Sequence, residues 1–252
     1  MILCLAQVSP YWNEPKRNLK KMRDCAAEAV EGDASFLVFP EQCLTGWNPS
    51  DDSLATDESG ENISTIREIA QDYSIGILGS FREKDTDKLY NTCIAIGTDG
   101  KTLSKYRKIH LFSPGGEDNM YSPGESPCFF PYDSCLLGIA ICYDLRFASV
   151  FQAYRDAGIN LMLVPSAWPA ARIKHFHLFT RSRALEFQTF VASVNTVGQT
   201  PVDSYNGGSC IAGPDGTVRA MGSDREDLIF FEIDPLEAET IRKEFPVNLE
   251  KK

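Results

Sequence analysis

GIAICYDLRF, residues 138–147, places a cysteine where an apolar run gives out. Gly138, Ile139, Ala140 and Ile141 read as the end of a buried strand, and Arg146, Phe147, Val150, Phe151 and Tyr154 begin a pattern at helical spacing. Cys142 therefore falls at a strand-to-helix turn, where α/β folds let a nucleophile protrude. Free cysteine also serves as a small buried hydrophobe, so position alone leaves both roles open. A thiol nucleophile needs a group to take its proton and another to stabilise negative charge. Of the three histidines, His175 and His177 lie in ARIKHFHLFTRSRALEF, a helical pattern in which residues two apart point about 200° from each other, so no shared metal is expected. His110, in KYRKIHLF, shares a strand face with Lys108 if the strand continues through it, and is one candidate base. The other is a carboxylate: Glu41 directly follows FLVFP, where a charge at the mouth of a buried strand needs a partner. Lys108 could be that partner, keeping the carboxylate ionised so that it can deprotonate Cys142.

The elements that must position these residues follow an α/β rhythm. NLKKMRDCAAEAV carries Leu19, Met22, Ala26 and Val30 on one face and leads into SFLVFP, and NISTIREIAQDY leads into IGILGSF. NTCIAIGTDGKTLSKYRKIHLF and SCIAGPDGTVRAMG each read as two strands joined by an Asp-Gly turn, which predicts mixed sheets. SFLVFPE and INLMLVPSAW echo each other, and such an echo would set both strand ends on one rim beside Cys142. The 252 residues, 43% hydrophobic and 24% charged, fit a single domain over residues 1–252 with a charged, peripheral tail from about residue 235. A net charge of −10 argues against nucleic acid and anionic membranes as partners. No run approaches a membrane span, MILCLAQVSPYW reads as a first strand, and eight cysteines without an export signal point to reduced thiols in a cytoplasm.

FPEQCLTGW, KYRKIHLF and GIAICYDLRF together resemble the active-site segments of the nitrilase, or carbon–nitrogen hydrolase, superfamily, in the order Glu, Lys, Cys. The similarity continues through SAWPAAR, RSRALEFQTFVASVN and GGSCIAGPDG, so it spans the chain to about residue 235. It implies an αββα sandwich with two mixed sheets, association into homodimers or higher homo-oligomers through surface helices, and no metal or other cofactor. It also implies Glu41 as general base, Lys108 as charged stabiliser and Cys142 as nucleophile. Glu117, six residues before Pro123 in GGEDNMYSPGE, matches a second glutamate with a positional role. The Tyr143 backbone N–H is then placed to share the oxyanion with Lys108. Cys-Tyr-Asp departs from the Cys-Trp-Glu of nitrile-cleaving members, and YDLRF and SAWPAAR look most similar to omega-amidases acting on monoamides of short dicarboxylic or 2-oxo acids. Hydrolysis of N-carbamoyl amino acids is the alternative activity, and an inactive scaffold on the same fold is the alternative class. Arg146 could clamp a substrate carboxylate or pair with Asp144, and Trp168 could wall the pocket or belong to the core.

Overall fold

Short apolar runs bounded by turn residues fold as strands buried on both faces. In β1 (Ile2–Gln7), Leu3 and Leu5 join one apolar cluster with Leu137, Ile139 and Leu163, while Cys4 and Ala6 join another with Leu19, Met22 and Ile66. That division is the period-two alternation of a strand with a sheet on one side and helices on the other. The structure is a computed structural model describing residues 1–247. After β1 come α1 (Pro15–Glu31), β2 (Phe36–Val38), α2 (Glu61–Asp72), β3 (Gly76–Asp85), β4 (Lys88–Ile96) and β5 (Thr102–Arg107). The second half holds β6 (Phe129–Tyr132), β7 (Cys135–Ile139), α3 (Ala148–Asp156), β8 (Leu161–Ser166), α4 (Ile173–Phe187) and β9 (Phe190–Asn195). It continues with β10 (Val197–Gln199), β11 (Ser204–Asn206), β12 (Cys210–Ala212), β13 (Val218–Met221), β14 (Asp227–Glu232) and α5 (Pro235–Glu244).

One sheet has the order β14-β1-β2-β3-β4-β5 and the other β13-β12-β9-β8-β7-β6. β1, β2 and β3 are mutually parallel, as are β7, β8 and β9, and antiparallel strands flank both sets. The sheets pack face to face, with α1 and α2 outside the first and α3 and α4 outside the second. This is the expected αββα sandwich with mixed sheets. Both Asp-Gly turns form, with Gly100 and Gly216 at φ 75°, a region glycine enters without steric penalty.

Two local expectations need correction. The pattern beginning at Arg146 is not yet α-helix: Cys142–Arg146 forms a 3-10 turn, and α3 starts only after Phe147, which is extended at φ −107° and ψ 101°. β5 ends at Arg107, so Lys108 and His110 do not share a strand face. The α5 helix docks through Ala238, which is fully buried, and through Arg242, whose Nε donates to the Gln188 carbonyl at 3.0 Å. Residues 248–252 of the tail lie outside the described residues. No described helix is long and apolar enough to cross a membrane.

Glu83 on β3 is a buried charge away from the site. Its carboxylate meets Arg107 Nε at 2.7 Å, Lys105 Nζ at 2.7 Å and the Thr92 hydroxyl at 2.8 Å. Burial alone would raise its pKa, but Arg107, Lys105 and Thr92 overcome that and hold it at about 2, below the ordinary 4.5. A carboxyl depressed on folding contributes stability that is present above its unfolded value and is lost as pH falls through the folded one. Glu83→Gln should therefore lower Tm at pH 7 and flatten the fall of Tm between about pH 4.5 and pH 2. A wild-type acid profile in the variant would refute this.

Candidate active site

Strand direction gathers the reactive groups on one rim. β2, β3 and β5 run the same way, and β4 runs against them, so Glu41 after β2, Lys108 after β5 and Asn91 near the start of β4 meet at one edge. The Lys108 N–H donates to the Asn91 carbonyl at 2.9 Å, extending the β4–β5 ladder by one rung. From the other sheet, Cys142 follows β7 and Ala167 follows β8. Cys142 sits at φ 45°, in the left-handed region that costs a side-chain-bearing residue about 1–2 kcal/mol. Asp144 offsets that strain. Its Oδ2 accepts from the Ile141 N–H at 3.0 Å and the Tyr106 hydroxyl at 2.7 Å, and its Oδ1 from the His110 N–H at 2.8 Å. Asp144 thus ties the cysteine turn to the Lys108 segment and is not the partner of Arg146. The His110 ring stacks on Phe147 at 3.8 Å, with Nδ1 3.1 Å from Asp144, and is not part of the pocket lining.

Counting acceptor sites separates the two glutamates, since an ionised carboxylate offers about four. Glu117 uses all of them. Its Oε1 accepts from Asn91 Nδ2 at 2.8 Å and Trp47 Nε1 at 3.5 Å, and its Oε2 from Lys108 Nζ at 2.8 Å and the Phe112 N–H at 2.6 Å. Glu41 spends three, on Asn91 Nδ2 at 2.7 Å, Lys108 Nζ at 2.8 Å and the Ala167 N–H at 2.9 Å. The fourth is unfilled, and Glu41 lines the same cleft as Cys142. The Ala167 contact also joins the ends of the two strands whose sequences echo each other. Lys108, with three donors, spends two on the glutamates and turns toward the cleft that it lines.

These groups are almost completely enclosed: Glu41 is 2% exposed, Lys108 1%, Glu117 0% and Cys142 8%. Burial disfavours charge on Lys108, yet the Glu117 and Glu41 carboxylates outweigh it and hold the ammonium pKa well above its ordinary value. Burial would likewise raise Glu117, and Lys108, the Phe112 N–H and Asn91 bring it below the usual carboxylate value. Burial pushes the Cys142 thiol well up and the Glu41 charge adds to this, while Lys108 and the Ala167 N–H pull the other way. Burial and the Glu41 charge thus favour the neutral thiol at Cys142.

A cleft of about 350 Å³, partly open to solvent, is lined by Glu41, Lys108 and Cys142 together with Trp47, Phe112, Tyr143, Trp168, Arg146 and Arg172. Trp168 has both roles considered for it, facing the cleft and packing on Phe176 at 5.5 Å. Tyr143 lines the cleft in an edge contact with Phe112 at 5.0 Å. Arg146 lies 4.9 Å over Trp168 with Nη2 3.2 Å from His175 Nδ1, and Arg172 lies 5.4 Å over Phe112. Neither guanidinium pairs with a carboxylate among the described residues. Sequence reasoning missed Arg172, Trp47, Asn91 and the Ala167 N–H. Trp47 and Arg172 close two of the segments that carried the resemblance, whereas nothing in NTCIAI marks Asn91. His177 Nε2 donates to the Gly208 carbonyl at 2.8 Å, apart from His175, and no metal-ligating cluster occurs among the described residues.

A thiol, an acceptor with one open site and a cleft-facing ammonium, set on the common rim of an αββα sandwich, have the make-up of a hydrolase that works through cysteine. The sequence model of the carbon-nitrogen hydrolase family matches residues 3–243, and the chain belongs to that family. It is 31% identical over 248 residues to the 2-oxoglutaramate amidase of Bacillus subtilis, covering 98% of this chain and 95% of that one. It is 37% identical over 207 residues to the human omega-amidase NIT2, covering 77% and 74%. Among solved structures, a cysteine-to-alanine mutant of the amidase from Nesterenkonia sp. AN1 in complex with butyramide superposes with a TM-score of 0.88 at 25% identity, covering 99% of this chain and 97% of that one.

Proposed function

We propose that the chain is an amidase of the omega-amidase kind, releasing ammonia from the terminal carboxamide of a small linear substrate through a Cys142 thioester. The observation that carries this reading is the unequal occupancy of the two glutamates, one saturated and one with an open acceptor site on the cleft that Cys142 also lines. Glu41 takes the thiol proton as Sγ attacks the amide carbon. The oxyanion is received by the remaining Lys108 N–H and by the Tyr143 N–H, which in the first turn of its helix has no intrahelical acceptor. Glu41 passes its proton to nitrogen, the carbon–nitrogen bond breaks and ammonia leaves. Water then gives a proton to Glu41 and attacks the thioester, and the departing sulfur recovers that proton. Glu117, with no open acceptor, orients Lys108. No step calls for a metal or organic cofactor.

The two guanidiniums lining the cleft, neither paired with a carboxylate among the described residues, on a chain of net charge −10 support a substrate bearing a carboxylate distal to the amide, such as a monoamide of a four- or five-carbon diacid or its 2-oxo analogue. The names of the Bacillus and human relatives support the same class. kcat/KM for succinamic acid should exceed that for a neutral amide of equal length by about 100-fold or more, because a guanidinium left unpaired in the cleft opposes the neutral analogue. Arg146→Leu or Arg172→Leu should collapse the preference. Ammonia release from a panel of small amides checks this, and equal rates on both amides in the wild type would remove the carboxylate pocket. Faster hydrolysis of N-carbamoyl amino acids would replace the substrate class, and no turnover of any amide would leave a scaffold.

Three further readings belong to the same proposal. The chain works as a single domain. It is a homodimer or larger, supported by apolar side chains exposed on its outer helices, including Leu178 (60%) and Leu185 (58%) on α4. It acts in the cytoplasm, supported by eight cysteines that all stand as free thiols. Sedimentation at micromolar concentration tests the oligomer.

A further inference from the structure

Asn91 is fully buried on β4, and its side-chain nitrogen bridges the two glutamates, 2.7 Å from Glu41 Oε1 and 2.8 Å from Glu117 Oε1. Lys108 Nζ bridges the same pair at 2.8 Å on each side, so the four groups close a ring. The amide orientation is set by chemistry, because ionised carboxylates only accept and the amide oxygen could not face two of them. That oxygen is buried with no partner. An unmet buried acceptor is unfavourable by about 1–3 kcal/mol, so the bridge that Asn91 makes between the carboxylates comes at a cost in folding free energy.

Charge explains why the second bridge is neutral. Glu41, Glu117 and Lys108 sum to −1, which leaves the open oxygen of Glu41 able to draw a proton from sulfur. A second cation in place of Asn91 would cancel that charge and weaken the base; an apolar residue would leave two carboxylates facing each other with one donor between them. The charged groups facing Glu41 are Lys108 and Glu117. The other titratable groups in its field are Cys142 after β7, Cys93 on β4, Tyr121 and Tyr205 on β11, each kept neutral by burial.

We propose that Asn91 is a positioning residue for the reaction: its shared amide group aims the open oxygen of Glu41 at Cys142 and sets how readily that oxygen takes a proton. The inference rests on Glu41 being the base, and a readout independent of turnover separates the two claims. Methyl methanethiosulfonate, a small neutral reagent, labels Cys142 as a mixed disulfide with loss of methanesulfinate, and peptide mass spectrometry follows the labelling rate from pH 4 to pH 9. In Asn91→Ala the acid limb of that rate should move up by about one pH unit or more, a tenfold slowing on the acid side per unit. kcat on succinamic acid should fall about 100-fold with KM within threefold. Asn91→Ser, which keeps one donor, should fall between this variant and the wild type. Asn91→Asp, of the same size, should move the limb furthest and carries the test if the Ala protein does not fold. A folded Ala, Ser or Asp variant with the wild-type limb, whatever its Tm, would overturn the assignment. If instead Glu41→Gln itself keeps the wild-type limb, the base assignment fails and Asn91 falls with it.

Discussion

The Cys142→Ala protein will fold, bind amides and release no ammonia. The substitution removes one sulfur from a site whose other contacts are made by neighbours: Asp144 braces the turn through backbone N–H groups and Tyr106, and the glutamate–lysine ring does not depend on the thiol. Alanine inherits the left-handed backbone without relief or added strain, so Tm should change little. Turnover should drop by about 10⁵-fold or more, as when a covalent nucleophile is deleted elsewhere. Alanine at Cys4, Cys25, Cys43, Cys93, Cys128, Cys135 or Cys210 should reduce stability according to burial but leave kcat near wild type in whatever folds. Ammonia release measured alongside circular dichroism checks this series, and trapping wild type with a slow substrate should show an acyl adduct on the Cys142 peptide. A folded, highly purified Cys142→Ala protein that still turns over would end the nucleophile assignment.

Glu41→Gln and Lys108→Met should be nearly as damaging, for different reasons. Glutamine keeps the shape of Glu41 but cannot take a proton, and both half-reactions need that transfer, so kcat should fall by about 10³-fold or more with the fold intact. Lys108→Met strands two buried carboxylates without their cation, a situation that destabilises by about 3–5 kcal/mol unless one of them protonates. Its Tm should therefore rise as pH is lowered from 8 toward 5, where the wild type shows no such gain. Sign follows from direction: Lys108 lowers the Glu117 pKa, so its loss raises that pKa and makes the variant bind a proton on folding. His110→Gln should change kcat less than tenfold, because its ring packs on Phe147 outside the cleft. Steady-state kinetics on succinamic acid and pH-dependent melting decide the matter. A severe His110→Gln together with a mild Glu41→Gln would restore a cysteine–histidine pair.

Chain order and local pattern carried most of this site. Glu41 and Cys142 each follow an apolar strand and Lys108 follows the mixed strand TLSKYR, and a residue just past a strand end is delivered to a sheet edge. The alternation of helix and strand, the two Asp-Gly turns and the mixed sheets were legible for the same reason, since each depends on residues within about ten positions. His110 was misplaced because alternation says nothing about where a strand stops. β5 ends where the chain turns away to let Asp144 take the His110 N–H, a contact with a partner 34 positions away. Arg146 and Asp144, neighbours in sequence, looked like a pair and are not, since Asp144 is turned inward by Tyr106 and Arg146 outward over Trp168.

Tertiary structure adds the surroundings that distinguish the two glutamates. Both are buried, both touch Lys108 and both touch Asn91; they differ in the fourth acceptor site, filled in Glu117 and unfilled in Glu41, which lines the cleft with Cys142. That difference depends on donors from Trp47, Phe112 and Ala167, spread over 120 positions. Asn91 joined the ring through register: the rung beyond Thr92 and Arg107 sets it opposite Lys108. A sequence names the groups that can hold or move a proton. Which lone pair remains open is a property of packing, because a hydrogen bond is made or missed within a fraction of an ångström that only the folded chain determines.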